Sequence, residues 1–343
     1  MKYRKLGRTG LEVSPLCLGA MMFGAWGEPD HDTSIKIIHT ALDAGVNFID
    51  TADVYSAGES ETIVGKAIKG RRDDLVIATK FHGPMGDDPN RQGNSRRWIM
   101  KACEESLTRL GTDHIDLYQV HRPEPGVDIE ETLGALDDLV HQGKVRYLGS
   151  STYPPSAIVE AQWAAERRNT QRFVCEQPPY SLLVRGVEAE VLPTCERHAM
   201  GVIAWSPLAG GWLSGRWRLG AENLTSRRAE RIPGRYDLSD PANQAKLVAA
   251  DGLAKLAEDR DMTLVHVALA FVMNHPAVTA AIIGPRTAEH LDSQLGATDV
   301  VLDDELLDEI DKLVAPGTNF TPFDAGYVPP AIARPWMRRR ARH

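Results

Sequence analysis

Four polar side chains stand at or just beyond the ends of three consecutive apolar segments in this 343-residue chain. Asp50 ends VNFID, Lys80 ends LVIATK and His121 ends IDLYQVH, while Tyr55 lies shortly after Asp50. An acid, a phenol, an amine and an imidazole at neighbouring strand ends can reach one site. Together these groups can donate a proton to a substrate and hold the proton donor in place.

The four groups indicate one kind of reaction. A free phenol has a pKa of about 10, which is too high for easy proton exchange at neutral pH. A nearby ammonium, oriented by a carboxylate, is expected to lower that pKa, and the imidazole could hydrogen-bond a substrate oxygen or relay a proton. Tyr55 would then protonate an oxygen that gains negative charge, as when hydride reduces a carbonyl. Each residue alone is more often structural, so the prediction depends on their joint placement.

The elements that must position these groups repeat along the chain. Eight apolar runs, mostly continuous as in parallel strands buried on both faces, are found at 16–19, 46–49, 75–79, 115–120, 145–149, 173–176, 202–205 and 281–283. Helical spacing of apolar residues predicts helices over 33–44, 59–69, 95–110 and 129–141. This alternation predicts a (β/α)8 TIM barrel, in which catalytic groups lie at the C-terminal ends of the strands. A doubly wound sheet is the competitor, but the G-x-G-x-x-G turn that it predicts is absent from the sequence.

We interpret the whole chain as one barrel domain, with a hairpin cap at 1–15, the barrel at 16–300 and a C-terminal helix and tail at 301–343. Tyr3–Leu6 and Leu11–Ser14 flank a Gly-Arg-Thr-Gly turn, which is typical of a hairpin that closes the bottom of the barrel. Residues 207–240 are too long for an ordinary loop and are predicted to cover a ligand. The tail, with five arginines in 334–343, is either solvated or a lip over the barrel mouth.

Composition and net charge indicate a globular protein and argue against some kinds of partner. Apolar residues make up 43% and charged residues 25% of the chain, as in globular proteins. The net charge of -8 argues against nucleic acid and anionic membranes as partners, and no apolar run is long enough to span a bilayer. The four scattered cysteines and the absence of a signal sequence favour reduced thiols in a cytoplasmic protein. No metal-binding motif appears, and the oligomeric state is left open.

Two loops have the character of a phosphate site. WSPLAGGWLSGR follows the seventh run and IIGPRTAEHL includes the eighth, which are the positions where such barrels bind phosphate. Gly284 and Thr287 open a helix whose free N–H groups suit an anion, and Arg286 could clamp a phosphate with two hydrogen bonds. Arg216 adds positive charge from the other loop. The arginine at 286, without an obvious acidic partner for a ribose diol, favours NADPH over NADH.

At these residues the chain resembles the aldo-keto reductase superfamily over nearly its whole length. The matching stretches are FIDTADVY, ATK, SLTRLGTDHIDLYQVHR, GKVRYLGSS, EQPPYS, WSPLAGGWLSG and IIGPRT. The resemblance implies a (β/α)8 barrel that binds NADP(H) without a Rossmann domain, and it implies that the four residues described first form the catalytic tetrad.

The resemblance also implies a set of cofactor contacts. Ser151 and Gln177 would bind the nicotinamide carboxamide, and Trp205 would stack on the ring. The remaining predicted cofactor residues follow the first strand, line the loop after the seventh and open the helix after the eighth: Gly19, Met21, Asp50, Ser206, Pro207, Leu208, Gly210, Arg216, Gly284, Arg286, Thr287 and Gln294. Departures occur at Trp205, where Tyr is common, at Thr152, where Asn is common, and at His290 and Gln294, where Gln and Asn are common.

The stretches resemble most the bacterial branch similar to aryl-alcohol dehydrogenases and potassium-channel β-subunits. The resemblance implies NADPH-dependent reduction of an aldehyde or ketone, with a deoxysugar intermediate as one possible substrate. Met22, Trp26, Phe81, His82 and Arg122 are predicted to line the substrate mouth, and their character favours a hydrophobic or aromatic carbonyl. Two alternatives stay open: a cofactor sensor with little turnover, and C=C reduction, which His121 disfavours because relatives with that activity often carry an acid there.

Overall fold

The computed structural model describes residues 1–222 and 224–337, apart from the side chains of Arg227 and Pro335. Its strands are β1 Arg4–Lys5, β2 Glu12–Val13, β3 Leu16–Gly19, β4 Phe48–Asp50, β5 Val76–Phe81, β6 Ile115–Val120, β7 Val145–Ser151, β8 Phe173–Gln177, β9 Gly201–Ala204 and β10 Val278–Ile283. The eight strands β3–β10 are parallel and close into a barrel, in which β10 pairs with both β3 and β9. The predicted (β/α)8 barrel is confirmed.

Helices surround the barrel and connect its strands. They are α1 His31–Asp43, α2 Glu59–Ala67, α3 Arg96–Leu110, α4 Ile129–His141, α5 Pro155–Arg168, α6 Val191–Arg197, α7 Arg227–Arg231, α8 Pro241–Glu258, α9 Leu264–Asn274, α10 Ala288–Leu295, α11 Asp304–Leu313 and α12 Pro330–Ala333. The four predicted helices correspond to α1–α4, with ends that differ by at most two residues. The Ser95 side chain accepts from the Trp98 N–H, which is why α3 begins there.

Two apolar layers form because side chains alternate along each strand. One layer lies between strands and helices and includes Ile77, Phe81 and Tyr118. The other fills the barrel interior and includes Ala78 and Leu117. Residues at the C-terminal strand ends that continue the interior layer therefore point into the mouth of the barrel.

The N-terminal hairpin is formed by β1 and β2, which pair antiparallel. Leu6 and Val13 are fully buried and belong to the interior apolar layer. At Gly7 the backbone φ is +56°, and a Cβ there would lie 2.5 Å from the Gly201 nitrogen at the start of β9. The hairpin therefore packs against the N-terminal end of the barrel, opposite the strand ends that carry the polar residues.

Candidate active site

The four predicted chemical residues come together at the mouth of the barrel. Asp50 ends β4, Lys80 lies near the end of β5 and His121 directly follows β6. The Lys80 ammonium donates to Asp50 Oδ2 at 2.6 Å, to the Thr51 carbonyl at 2.7 Å and to the Tyr55 hydroxyl at 3.3 Å. Lys80 is completely buried and Asp50 is 2% exposed. The charge pair is therefore shielded from water, and Tyr55, which is partly exposed, lies closer to the surface than Asp50 and Lys80.

Tyr55 is held between aromatic neighbours. It opens a short 3-10 turn after β4, in which Ser56 and Ala57 adopt left-handed φ angles of 49° and 55°. The Tyr55 ring meets the His121 ring edge-on at 5.6 Å between centroids, and the Trp26 ring at 6.0 Å. Lys80 Nζ lies 4.9 Å from the phenol ring centroid. The ring is fixed from three sides, so its hydroxyl has a defined position beside His121.

Burial decides the protonation of these groups. It raises the pKa of Tyr55 above its ordinary value, and the opposing effect of Lys80 does not overcome it. The expectation that the ammonium gives Tyr55 a lowered pKa is therefore wrong, because the desolvation of the phenolate outweighs the opposing effect of Lys80. Burial alone would lower the pKa of Lys80, but Asp50 and Tyr55 raise it. Burial, Lys80 and Arg122 hold the pKa of His121 well below its usual range.

A pair of amides completes the site around Asp50. Gln177 donates to Asp50 Oδ1 at 2.8 Å, and Gln119 donates to the same oxygen at 3.2 Å. Gln177 also donates to the side-chain Oε1 of Gln119 at 3.2 Å. The sequence reasoning missed Gln119, although it stands two residues before His121 on one strand and so shares its inward direction. Gln177, which is predicted to bind the nicotinamide carboxamide, therefore also contacts the Asp50–Lys80 pair through its hydrogen bond to Asp50.

The predicted nicotinamide contacts lie next to this network. Ser151 ends β7 and donates to the Gln177 carbonyl at 2.9 Å. Trp205 follows β9, and its indole N–H is buried without a hydrogen-bond partner among the described residues. Gly19 ends β3 and pairs in register with Asp50, so that strand also ends at the site. An unpaired indole donor beside the strand ends is a feature that a bound polar ligand would satisfy.

The loop after β9 has an open, irregular backbone. Ser206, Ala209 and Gly210 have φ angles of 56°, 49° and 71°. A Cβ at Gly210 would lie 2.9 Å from the Tyr236 hydroxyl, which donates to the Gly210 carbonyl at 2.8 Å. Within this loop the Ala209 N–H donates to the Ser206 carbonyl and the Gly211 N–H donates to the Leu208 carbonyl, both at 2.8 Å. Pro207 and Leu208, two of the predicted cofactor residues, lie within this loop.

The start of α10 carries a capping threonine and a histidine whose pKa is lowered by nearby positive charge. Thr287 caps the helix by accepting from the His290 N–H at 3.2 Å. Burial lowers the pKa of His290, and the positive charges of Arg286 and Arg216 lower it further. The Oε1 atom of Gln294 is buried and unpaired among the described residues. Gly284 directly follows β10, and a Cβ added there would have no heavy atom within 4 Å.

The family model described as "Aldo/keto reductase family" matches residues 15–315. This chain belongs to the aldo/keto reductase family. Its relatives include "Uncharacterized oxidoreductase YrpG" of Bacillus subtilis (strain 168), which is 42% identical over 90% of this chain and 94% of the relative. A protein named "Probable voltage-gated potassium channel subunit beta" from Arabidopsis thaliana is 35% identical over 92% and 97% of the two chains.

A third relative carries a named reaction. "Norsolorinic acid reductase" of Aspergillus flavus (strain ATCC 200026 / FGSC A1120 / IAM 13836 / NRRL 3357 / JCM 12722 / SRRC 167) is 33% identical over 93% of this chain and 80% of the relative. The predicted branch, with bacterial oxidoreductases and channel β-subunit-like proteins, is confirmed. The protein is thus an oxidoreductase of the carbonyl-reducing aldo/keto type. Across the described residues, no helix has both the length and the apolar character needed to cross a membrane.

Some of the predicted substrate residues of this aldo/keto reductase lie beside the tetrad, and one of them lies outside the mouth. Trp26 packs on Tyr55, and Arg122, beside His121, donates to the Thr152 hydroxyl at 3.0 Å. Phe81 is not at the mouth, which corrects its predicted role: it is fully buried and packs on Tyr118 at 5.0 Å between the barrel and its helices. Strand alternation explains the error, because Lys80 points inward and its neighbour must point outward. His82 is held by Asn94 at 2.9 Å.

Two remaining predicted residues come from the loop after β3. Met21 and Met22 are both partly exposed in the segment that leads from Gly19 toward Trp26. The Met22 carbonyl accepts from the Glu28 N–H at 2.8 Å, which closes this loop on itself. The apolar side of the mouth is therefore built on a short ordered loop rather than on a barrel strand.

Two segments cover the mouth of this reductase. In residues 207–240, Arg231 lies 4.4 Å from the Trp26 ring and so joins this loop to the loop after β3. The second segment is the C-terminal region, in which Asp324 forms an ion pair with Lys246 of α8 at 2.8 Å. A Cβ at Gly326 would lie 2.8 Å from Trp205 Cζ2, so the chain crosses directly beside that indole. The described tail thus approaches the mouth at Gly326, whereas Ile332 and Trp336 are 56% and 68% exposed, and residues 338–343 lie outside the described residues.

Proposed function

We propose that this aldo/keto reductase reduces an aldehyde or ketone to an alcohol with NADPH, and that Tyr55 is the general acid. The observation that carries the proposal is the chain of contacts from Asp50 through Lys80 to the Tyr55 hydroxyl beside His121. A neutral phenol whose conjugate base is stabilised by an adjacent ammonium can release its proton late, when the substrate oxygen has gained charge.

Each residue has a distinct part in this reaction. A reduced nicotinamide, when bound, supplies the hydride. Tyr55 gives its proton to the forming alkoxide, and Lys80 then stabilises the phenolate across the 3.3 Å contact. Asp50 keeps Lys80 charged and oriented. The second carboxylate oxygen of Asp50 accepts from the amides of Gln119 and Gln177. His121, neutral because its pKa is depressed, would orient the carbonyl oxygen by a hydrogen bond.

The residues present suit NADPH. Trp205, Ser151 and Gln177 would hold the nicotinamide, and the left-handed backbone after β9 would receive the pyrophosphate. Arg216 and Arg286, whose positive charges both lower the pKa of His290, would receive a 2′-phosphate. The unpaired buried atoms of Trp205 and Gln294 support this interpretation, because such atoms in a native protein call for a partner.

The proposed function is tested by the loss of NADPH absorbance with a panel of aromatic aldehydes, quinones and keto-sugars. We expect turnover with at least one class, and formation of one alcohol for each NADPH consumed. The aromatic and methionine side chains of the loop after β3 favour the aromatic aldehydes. Tight NADPH binding without reduction of any member of the panel would argue against carbonyl reduction as the main activity.

The cofactor preference is expected to depend on Arg286. Replacing it in Arg286→Met should weaken NADPH binding by about 10- to 100-fold, because a charge-assisted interaction with the 2′-phosphate is lost. NADH binding should change less than about twofold, since NADH lacks that phosphate. Dissociation constants from fluorescence titration provide the measurement, with Arg260→Met, whose arginine pairs with Asp303 at 3.1 Å, as the control. Equal losses for both cofactors would contradict a 2′-phosphate contact.

A second candidate is a cofactor sensor with slow turnover. It is favoured by the relatives whose printed names are potassium channel β subunits. The two functions differ in the rate of the chemical step with the best substrate. Rapid single-turnover oxidation of bound NADPH would support the reductase, whereas tight binding with a very slow chemical step would support the sensor.

A further inference from the structure

The turn after β7 has an unfavourable backbone conformation. Thr152 has a φ of 57° and is only 4% exposed. A β-branched residue rarely adopts the left-handed region, so neighbouring groups must hold it there. The turn matters because it directly follows Ser151, which stands beside the Gln177 end of the Asp50 network.

Glu176 holds this turn from the outer side of the barrel. It lies on β8, is completely buried, and pairs in register with Ser150. One carboxylate oxygen accepts from the Ser150 hydroxyl, and the other accepts from the Tyr153 N–H at 3.1 Å. The carboxylate therefore contacts the residues on both sides of Ser151 and Thr152.

Arg122 holds the same turn from the mouth of the barrel. Its guanidinium donates to the Thr152 hydroxyl at 3.0 Å and to the His121 carbonyl at 2.8 Å. The Thr152 N–H donates to the Gln177 carbonyl at 3.1 Å. The strained turn is thus fixed between a buried anion and a half-buried cation, and it connects both to the residues that surround the tetrad.

We propose that Glu176 is a positioning residue for cofactor binding: its carboxylate keeps the turn at Ser151 and Thr152 in the shape that receives the nicotinamide carboxamide. This inference rests on the proposed use of NADPH. Glu176 itself touches neither cofactor nor substrate, so its effect reaches the site only through the turn. Loss of the negative charge weakens the hold on the Ser150 hydroxyl and the Tyr153 N–H, and the strained turn relaxes.

The charge on Glu176 changes near neutral pH. Burial raises the pKa of this carboxyl to about 7, against the hydrogen bonds from Ser150, Tyr153 and Thr152 and the charge of Arg122. The other titratable groups that face it are Tyr153, Cys175 on its own strand and Cys195 of α6, each with a pKa raised by burial. None of them ionises near pH 7, so within this cluster Glu176 alone changes charge there.

The test compares Glu176→Gln with wild type, because glutamine keeps the size of the side chain and removes the charge. NADPH dissociation constants are measured by fluorescence between pH 6 and pH 8. At pH 8 we expect the variant to bind roughly 3- to 10-fold more weakly, the effect of a hydrogen bond to a charged group. At pH 6 the two proteins should bind alike, because wild-type Glu176 is then largely protonated. Titration of the cofactor phosphate affects both proteins and cancels in their ratio.

Controls separate positioning from general damage. Glu196→Gln removes an exposed carboxylate from α6 and should leave the ratio at one throughout. At saturating NADPH the kcat of Glu176→Gln should match wild type, and Ser150→Ala should weaken NADPH binding in the same direction. A ratio that stays at one between pH 6 and pH 8 would overturn the inference alone. Failure of wild type to bind NADPH at any pH would overturn the inference and the proposed function together.

Discussion

Tyr55→Phe should lower kcat for carbonyl reduction by about 10²- to 10⁴-fold, the usual contribution of a general acid. The variant loses only the hydroxyl that lies 3.3 Å from Lys80, while its ring keeps the contacts with His121 and Trp26. NADPH binding should therefore remain within about twofold of wild type, because the cofactor contacts are elsewhere. Steady-state rates together with cofactor titration separate the two effects.

The control for this result is Tyr3→Phe, which removes a hydroxyl from an exposed tyrosine that donates to the Gly45 carbonyl at 3.1 Å. Its activity should equal that of wild type. The direction of the pKa shift adds a second check: because burial raises the pKa of Tyr55 above 10, the reduction rate should not fall until the pH exceeds that value. Alcohol oxidation needs the phenolate and should rise with pH. Retention of most activity in Tyr55→Phe would remove Tyr55 from the proton-donor role.

Asp50→Asn should be the most destabilising of the tetrad variants, with a loss of about 3–5 kcal/mol in the free energy of unfolding. The substitution removes the negative charge beside the buried Lys80 ammonium, which then has only neutral acceptors such as the Thr51 carbonyl and the Tyr55 hydroxyl. Burial then lowers the pKa of Lys80 without the compensating carboxylate. The loss should be largest near neutral pH and should shrink as the pH approaches about 10.4, where lysine in the unfolded chain also loses its proton. Denaturant unfolding at several pH values measures it.

The double variant Asp50→Asn/Lys80→Met distinguishes a charge effect from a packing effect. Removing the ammonium as well should recover most of the lost stability, because no uncompensated charge remains buried, yet activity should stay low. The exposed pair Arg71–Asp43, with 43% and 63% of the side chains exposed, is the matched control. Asp43→Asn should change stability by less than about 1 kcal/mol. Similar losses at the two sites would show that the tetrad pair does not experience a low-dielectric interior.

The order of the barrel strands could be predicted from the sequence because its signals are local. Buried parallel strands appear as continuous apolar runs, and glycine or a capping residue marks the helix ends. The same strand alternation would have excluded Phe81 from the mouth, since it follows inward-pointing Lys80, and would have added Gln119 to the site. Both errors have one cause: nearness to a strand end was considered, but not whether the side chain points into or out of the barrel.

Other features depended on contacts between residues distant in the chain. The lip at Gly326 beside Trp205, and the contact of Arg231 with Trp26, join segments that no local pattern relates. The raised pKa of Tyr55 likewise depends on how completely its neighbours exclude water. The sequence by itself determined the barrel, its family and the residue types at the strand ends, because periodicity and motif spacing are local properties. Only the tertiary structure decided which side chains meet, how deeply they are buried and which of them carry charge, because those follow from packing across the whole barrel.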